Sequence, residues 1–140
     1  MAAAYILALD YGEKRVGVAI AHVVARLPRP LTTLLNTENL YSDIRALIST
    51  EDVSLVVVGL PRGMDGGYTQ QTRDAEQFAE QLAPMIDVPV QLTDETLTSV
   101  DAESSLAGSN YTKADVDALA ATYILERYLT EHPAVTGEIR

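Results

Sequence analysis

The sequence predicts a single α/β domain built on a mixed five-stranded sheet. Two apolar runs separated only by Glu13-Lys14-Arg15 are typical of an antiparallel hairpin. A β-branched run at 53–59 is typical of a strand buried on both faces, as in a parallel sheet. Segments of helical spacing lie on both sides of that run. This order indicates an antiparallel edge attached to parallel strands with helical crossovers.

The first half of the chain is predicted to hold three strands and a helix. The strands are expected at residues 4–11, 15–22 and 29–35, because these apolar runs are joined by short turns. A helix is expected at 38–50, where apolar residues recur on one face. They are Leu40, Ile44, Leu47 and Ile48.

The second half is predicted to alternate strands with helices. Strands are expected at 53–59 and 88–93, with a Pro- and Gly-rich loop after the first of them. Helices are expected at 69–84, 98–107 and 113–130. Thr112 and Asp115 have the spacing of a capping box at the start of the last helix.

Length and composition favour one domain over residues 1–130, followed by a polar tail at 131–140. A chain of 140 residues can bury about two thirds of its unfolded surface. No apolar stretch approaches the roughly 20 residues that cross a bilayer. The N-terminus lacks the basic region of a signal peptide, and cysteine is absent. We therefore expect a cytoplasmic protein.

The residue types also limit which metal could bind. The absence of cysteine excludes disulfides and thiolate ligands, and His22 and His132 do not form a zinc-type pair. Any bound metal should then be a hard ion with oxygen ligands, Mg²⁺ or Mn²⁺.

The formal net charge of −10 argues at first against a nucleic-acid partner, because phosphate contacts require Lys and Arg. The charge is uneven, however: residues 1–65 carry a net −1 and residues 66–140 a net −9. Half of the ten cations lie around the predicted hairpin and the following loops. They are Lys14, Arg15, Arg26, Arg29 and Arg62.

Acidic residues follow two of the predicted strands. Asp10 ends the first strand, where an acid is costly unless something binds it, although it could also serve the turn at Gly12. Asp94 and Glu95 end the fifth strand. If the first, fourth and fifth strands are parallel neighbours, Asp10 and one acid of this pair share an edge. Asp94 could instead cap the next helix, which would leave Glu95 as the ligand.

The last helix offers a third acid. Asp117 begins its apolar stripe, whereas Asp115 projects from a more polar face. Two carboxylates about 4 Å apart repel by roughly 4 kcal/mol at an effective dielectric of 20. Divalent ions remove that penalty and suit in-line displacement at phosphorus. The pattern therefore indicates a metal site for phosphoryl chemistry.

Taken together, five stretches resemble the YqgF/RuvX family of pre-16S rRNA nucleases and Holliday junction resolvase-like proteins. They follow one another in family order with family spacing and span almost the whole chain. The stretches are 8–19 (ALDYGEKRVGVA), 57–61 (VVGLP), 64–66 (MDG), 94–98 (DETLT) and 116–121 (VDALAA).

The resemblance implies an RNase H-like fold and a metal-dependent endonuclease acting on structured nucleic acid, with a role in maturation of 16S rRNA. It implies that Asp10, Glu95 and Asp117 form the catalytic and metal-binding triad. Lys14, Arg15 and Arg62 are the cations nearest the predicted strand ends and are our candidates for phosphate contacts. The partner would be precursor rRNA or branched DNA, bound by a monomer or a homodimer.

Two departures from the family pattern bear on this interpretation. Thr96 stands where the family usually has Arg, and Arg62-Gly63 follows Pro61 where an aliphatic-Asn pair is usual. We hypothesise that Arg62 partly replaces the missing charge. A Holliday junction resolvase, a non-catalytic nucleic-acid-binding domain and, more remotely, an actin-like phosphotransfer fold remain alternatives.

Overall fold

The computed structural model describes residues 4–95 and 112–133. The strands are β1 (Tyr5–Tyr11), β2 (Arg15–His22), β3 (Arg29–Leu35), β4 (Val53–Pro61) and β5 (Val90–Glu95). The helices are α1 (Leu40–Thr50), α2 (Gln70–Leu82), the short 3₁₀ turn Ala83–Met85 and α3 (Lys113–Glu131).

The five strands form one mixed sheet in the order β3-β2-β1-β4-β5. β1 and β3 both run antiparallel to β2, while β1, β4 and β5 are mutually parallel. The predicted hairpin and the predicted parallel crossovers are therefore both present. Because β1, β4 and β5 are parallel neighbours, their carboxyl ends lie at one edge of the sheet.

Each face of the sheet is covered by different helices. Leu7 and Leu9 of β1 face the core beneath α1 and α2, while Ile6 and Ala8 face α3. This alternation follows from the two-residue period of a strand. Full burial of a side chain such as Leu9 contributes about 1.5–3 kcal/mol. Central strands buried on both faces explain the nearly continuous apolar runs in the sequence.

The element boundaries differ from the predicted ones by a few residues. β4 continues to Pro61, and β5 begins at Val90 rather than at position 88. Pro89 has no N–H for the ladder, but its carbonyl accepts a bond from Val56 N at 3.0 Å. α3 reaches Glu131, so the first residue of the predicted tail is helical. The helix predicted at 98–107 lies outside the described residues.

None of the described helices combines the length and apolar character needed to cross a membrane.

Candidate active site

A cleft of about 260 Å³ opens at the carboxyl ends of β1 and β4. It lies at the edge of the sheet where an open α/β fold gathers its ligands. Its lining is mostly polar and combines the β1–β2 turn with the starts of α2 and α3. The lining residues are Asp10, Tyr11, Gly12, Glu13, Arg15, Pro61, Gln71, Asp74 and Asp117.

Asp10 is placed in the cleft by strand alternation. It follows Ile6 and Ala8 at two-residue intervals, so it belongs to the face of the sheet that α3 covers. Its partner in the antiparallel register is Gly17. Asp10 is partly exposed at the end of its strand, whereas the four residues before it are buried.

Gly17 allows α3 to approach the sheet at this point. A Cβ atom at position 17 would lie 1.9 Å from the carbonyl oxygen of Asp117. Only a residue without a side chain is compatible with this contact. The backbone of Asp117 therefore packs on the residue paired with Asp10, which explains why both carboxylates line one cleft.

Asp117 is held by an ion pair within the cleft. Arg15 Nε donates a hydrogen bond to Asp117 Oδ2 at 2.7 Å. The two side chains are 29% and 26% exposed, so the pair is partly solvated. Asp117 thus begins the inward face of α3, as predicted, but its partner from β2 was not predicted.

The third predicted acid, Glu95, is placed by its backbone. It is the last residue of β5 and pairs with Pro61, which lines the cleft. The structure does not describe its side chain. Among the side chains that are described, no group of three or more His, Cys, Asp or Glu residues is arranged to hold a metal ion.

The two acids that the sequence left open have other contacts. Asp94 Oδ1 accepts hydrogen bonds from Arg62, at 3.0 Å from Nη2 and 3.3 Å from Nε. Asp115 accepts a bond from Thr112 N at 2.9 Å and completes the predicted capping box of α3. Asp94 and Asp115 are thus engaged in other contacts, and neither lines the cleft.

Arg62 lies beside the cleft rather than in its lining. Besides its bonds to Asp94, its guanidinium lies 6.0 Å from the ring centre of Tyr68. The Tyr68 hydroxyl donates to Glu76, and this hydrogen bond raises the pKa of Tyr68. The hypothesis that Arg62 replaces an Arg at position 96 stays a prediction, because Thr96 lies outside the described residues.

The turn that carries Lys14 and Arg15 is fixed by a residue that the sequence did not single out. Asn36 Nδ2 donates to the carbonyl of Gly12 at 2.8 Å, and Asn36 N donates to the carbonyl of Lys14 at 2.9 Å. Lys14 itself is exposed. An Asn directly after a predicted strand is typical of a turn. Its contact with the β1–β2 turn, however, depends on the pairing of β2 with β3, which the sequence does not show.

The start of α2 adds two further lining residues, Gln71 and Asp74, that sequence reasoning missed. α2 begins with a capping box between Thr69 and Thr72, and the Thr72 hydroxyl also donates to the carbonyl of Pro61. This bond ties the start of the helix to the end of β4. The only sequence signal was an acid near a predicted helix start, which is common for dipole reasons alone.

Comparison with solved structures defines the class of fold. The chain superposes on Thermus thermophilus RuvC, solved with a Holliday junction substrate, with a TM-score of 0.53. The match covers 93% of this chain and 96% of that one, at 13% sequence identity. The fold is that of the RuvC-like resolvases, which is RNase H-like, as the resemblance implied.

Sequence comparison then shows the family. A family model described as "RuvX: Holliday junction resolvase" matches residues 4–131. The chain therefore belongs to the RuvX family, in agreement with the resemblance.

Relatives named "Putative pre-16S rRNA nuclease" match over most of their length. One from Chloroflexus aurantiacus is 42% identical over 130 residues, which is 89% of this chain and 85% of the relative. One from Crocosphaera subtropica is 38% identical over 135 residues, 91% and 94% of the two chains. One from Burkholderia mallei is 38% identical over 132 residues, 93% and 90% of the two chains.

Proposed function

We propose that this protein is a divalent-metal-dependent endonuclease of the cytoplasm that hydrolyses phosphodiester bonds in the precursor of 16S rRNA. The observation that carries the proposal is the meeting of Asp10 and Asp117 in one cleft at the carboxyl edge of the sheet. Membership of the RuvX family and the names of the relatives support the choice of reaction and substrate.

The donor set of the cleft fits a hard divalent ion. Asp10 and Asp117 supply carboxylate oxygens. A third acid, Glu95, ends β5, and its backbone pairs with Pro61, which lines the cleft. Mg²⁺ and Mn²⁺ prefer such oxygen ligands. We assign Asp10, Glu95 and Asp117 as the residues that would hold the metal. When bound, the metal would supply Lewis-acid activation of the phosphate and of the attacking water.

The remaining tasks fall to the side chains around the cleft. Asp10 and Asp117 hold their negative charges in fixed positions, because Asp10 lies near the end of a central strand and the backbone of Asp117 packs over Gly17. Lys14, Arg15 and Arg62 would contact phosphates along the substrate backbone. Arg62 is held beside the cleft by Asp94, so it would reach a phosphate away from the scissile bond.

Replacement of one acid tests the proposed reaction. Asp10→Asn keeps the shape of the side chain but removes its charge. Cleavage of precursor 16S rRNA with Mg²⁺ or Mn²⁺ should fall by about 100-fold or more, the scale of losing one group that stabilises the transition state. Equal cleavage by the wild type and by Asp10→Asn would contradict the nuclease proposal.

A four-way DNA junction is the second candidate substrate, and the description of the family model favours it. The assay should therefore offer precursor rRNA, single-stranded RNA and a DNA junction side by side. Symmetric cutting of a junction requires two active sites, so a strict monomer in solution would count against this alternative. Binding to these substrates without cleavage of any would instead support a non-catalytic domain.

A further inference from the structure

The cleft contains its own positive charge. Four carboxylates line it, from Asp10, Glu13, Asp74 and Asp117, and Arg15 is the one Lys or Arg among the described lining residues. A cleft lined by one sign of charge attracts the opposite sign. In this structure the guanidinium of Arg15 fills that role at Asp117.

The bond between Arg15 and Asp117 is short, but both of its partners are partly exposed. Its length of 2.7 Å is that of a charge-assisted hydrogen bond. Both side chains keep about a quarter of their surface in contact with solvent. Partly exposed ion pairs contribute little net stability. A cation of higher charge could therefore displace Arg15 from this carboxylate.

Arg15 and a divalent ion would compete for Asp117. A metal bound at this carboxylate would lie close to the guanidinium, and like charges repel at such distances. Arg15 begins β2 and sits on the turn fixed by Asn36, so its backbone would stay in place. Its flexible side chain could then turn towards a phosphate, which guanidinium groups bind in a bidentate manner.

We propose that Arg15 couples metal binding to nucleic-acid binding: it pairs with Asp117 while the metal is absent and is released to the phosphate backbone when a divalent ion binds. This inference rests on the proposed function and extends it. Since coupling between two ligands is reciprocal, nucleic acid should also tighten metal binding.

The first test measures Mn²⁺ binding to the protein alone by titration calorimetry. Arg15→Gln should bind Mn²⁺ about two- to fivefold more tightly than the wild type, the range expected for removing a competing, partly exposed ion pair. Arg45→Gln is the matched control, because Arg45 carries the same charge, is exposed and does not line the cleft. Its Mn²⁺ affinity should equal that of the wild type.

The second test measures binding of a labelled, structured precursor rRNA fragment with EDTA and with Ca²⁺. Arg15→Gln should lower RNA affinity about tenfold with Ca²⁺, the scale of a charged hydrogen bond, and little with EDTA. Lys14→Gln should lower RNA affinity by the same factor with EDTA and with Ca²⁺. Thermal unfolding checks that the variants fold, and Arg15→Met, which keeps the aliphatic stem without a charge, replaces Arg15→Gln if that variant does not fold.

The outcomes separate the inference from the proposed function. If Arg15→Gln binds Mn²⁺ no more tightly than the wild type, or loses RNA affinity equally with EDTA and Ca²⁺, the coupling is wrong while the nuclease proposal stands. If the wild type binds no Mn²⁺ at all, the proposed function and the inference both fail.

Discussion

At the scale of single residues, acids that are close in sequence have different hydrogen-bond partners and therefore different roles. Asp115 and Asp117 lie two positions apart on α3, yet one caps the helix and the other faces the cleft. Asp94 ends β5 next to Glu95, yet its carboxylate pairs with Arg62 beside the cleft. A carboxylate that already accepts a capping bond is less available to a metal.

This difference gives a matched pair of variants on one helix. Asp117→Asn should lower both Mn²⁺ affinity and cleavage by about 100-fold or more, because a proposed ligand loses its charge. Asp115→Asn should keep both within about twofold, since Asn is also a good acceptor at a helix start. Calorimetry and a cleavage assay measure the two effects. An equal loss in both variants would contradict the assignment of Asp117.

At the scale of elements, the position of Asp117 depends on how α3 packs against β2. Gly17 brings the two backbones into contact, and the helix also packs its apolar stripe on the sheet. The stripe was visible in the sequence as a helical period. The close contact was not, because a glycine in a strand pattern does not show what approaches it.

Gly17→Ala should push α3 away from the sheet. The added methyl group would overlap the carbonyl of Asp117, so we expect a destabilisation of about 1–3 kcal/mol, the usual scale of overpacking. Cleavage should fall with it, because Asp117 moves relative to Asp10. Denaturant unfolding and a cleavage assay measure the two effects.

Gly63→Ala is the control for this change. Its new Cβ would lie 3.1 Å from a carboxylate oxygen of Asp65, an exposed side chain that can move. Its stability should therefore change by less than that of Gly17→Ala. A Gly17→Ala protein as stable and active as the wild type would show that the contact does not position the site.

The limits of an element were predictable where they depend on residues close in sequence, and less so where they depend on pairing with a distant strand. The limits of β2 and β3 agree with the sequence, because period and turns define them. The end of β4 was placed too early, since Leu60 and Pro61 pair with Asp94 and Glu95 of a distant strand. The Arg15–Asp117 pair joins residues 102 positions apart, and no local pattern indicates such a contact. The assignment of the acidic triad and of the phosphate-binding cations stays a prediction.

At the scale of the whole molecule, the charge of −10 opposes binding of a polyanion. The cations proposed to contact phosphates are few: Lys14, Arg15 and Arg62. Each neutralised phosphate contributes about −0.7 to −0.9 to the salt dependence. Binding should therefore depend on metal and geometry more than on bulk charge.

The salt dependence of binding is a direct check. A plot of the logarithm of RNA affinity against that of monovalent salt, at fixed Ca²⁺, should have a slope between about −2 and −3. Lys14→Gln should make the slope shallower by about 0.7 to 0.9, the contribution of one phosphate contact. A slope steeper than about −5 would mean that many more cations bind the substrate than these three.

The last helix is fastened to the antiparallel half of the sheet at both of its ends. The Thr33 hydroxyl donates to the carbonyl of Ala114 at 2.7 Å, and Arg26 donates to the carbonyls of Leu129 and His132. The position of the Asp117 carboxylate is thus set by the contacts of α3 with β2, β3 and the loop between them. Side chains that lie outside the cleft, Thr33 on β3 and Arg26 in the loop after β2, therefore help to keep a carboxylate in register with the carboxyl edge of the sheet.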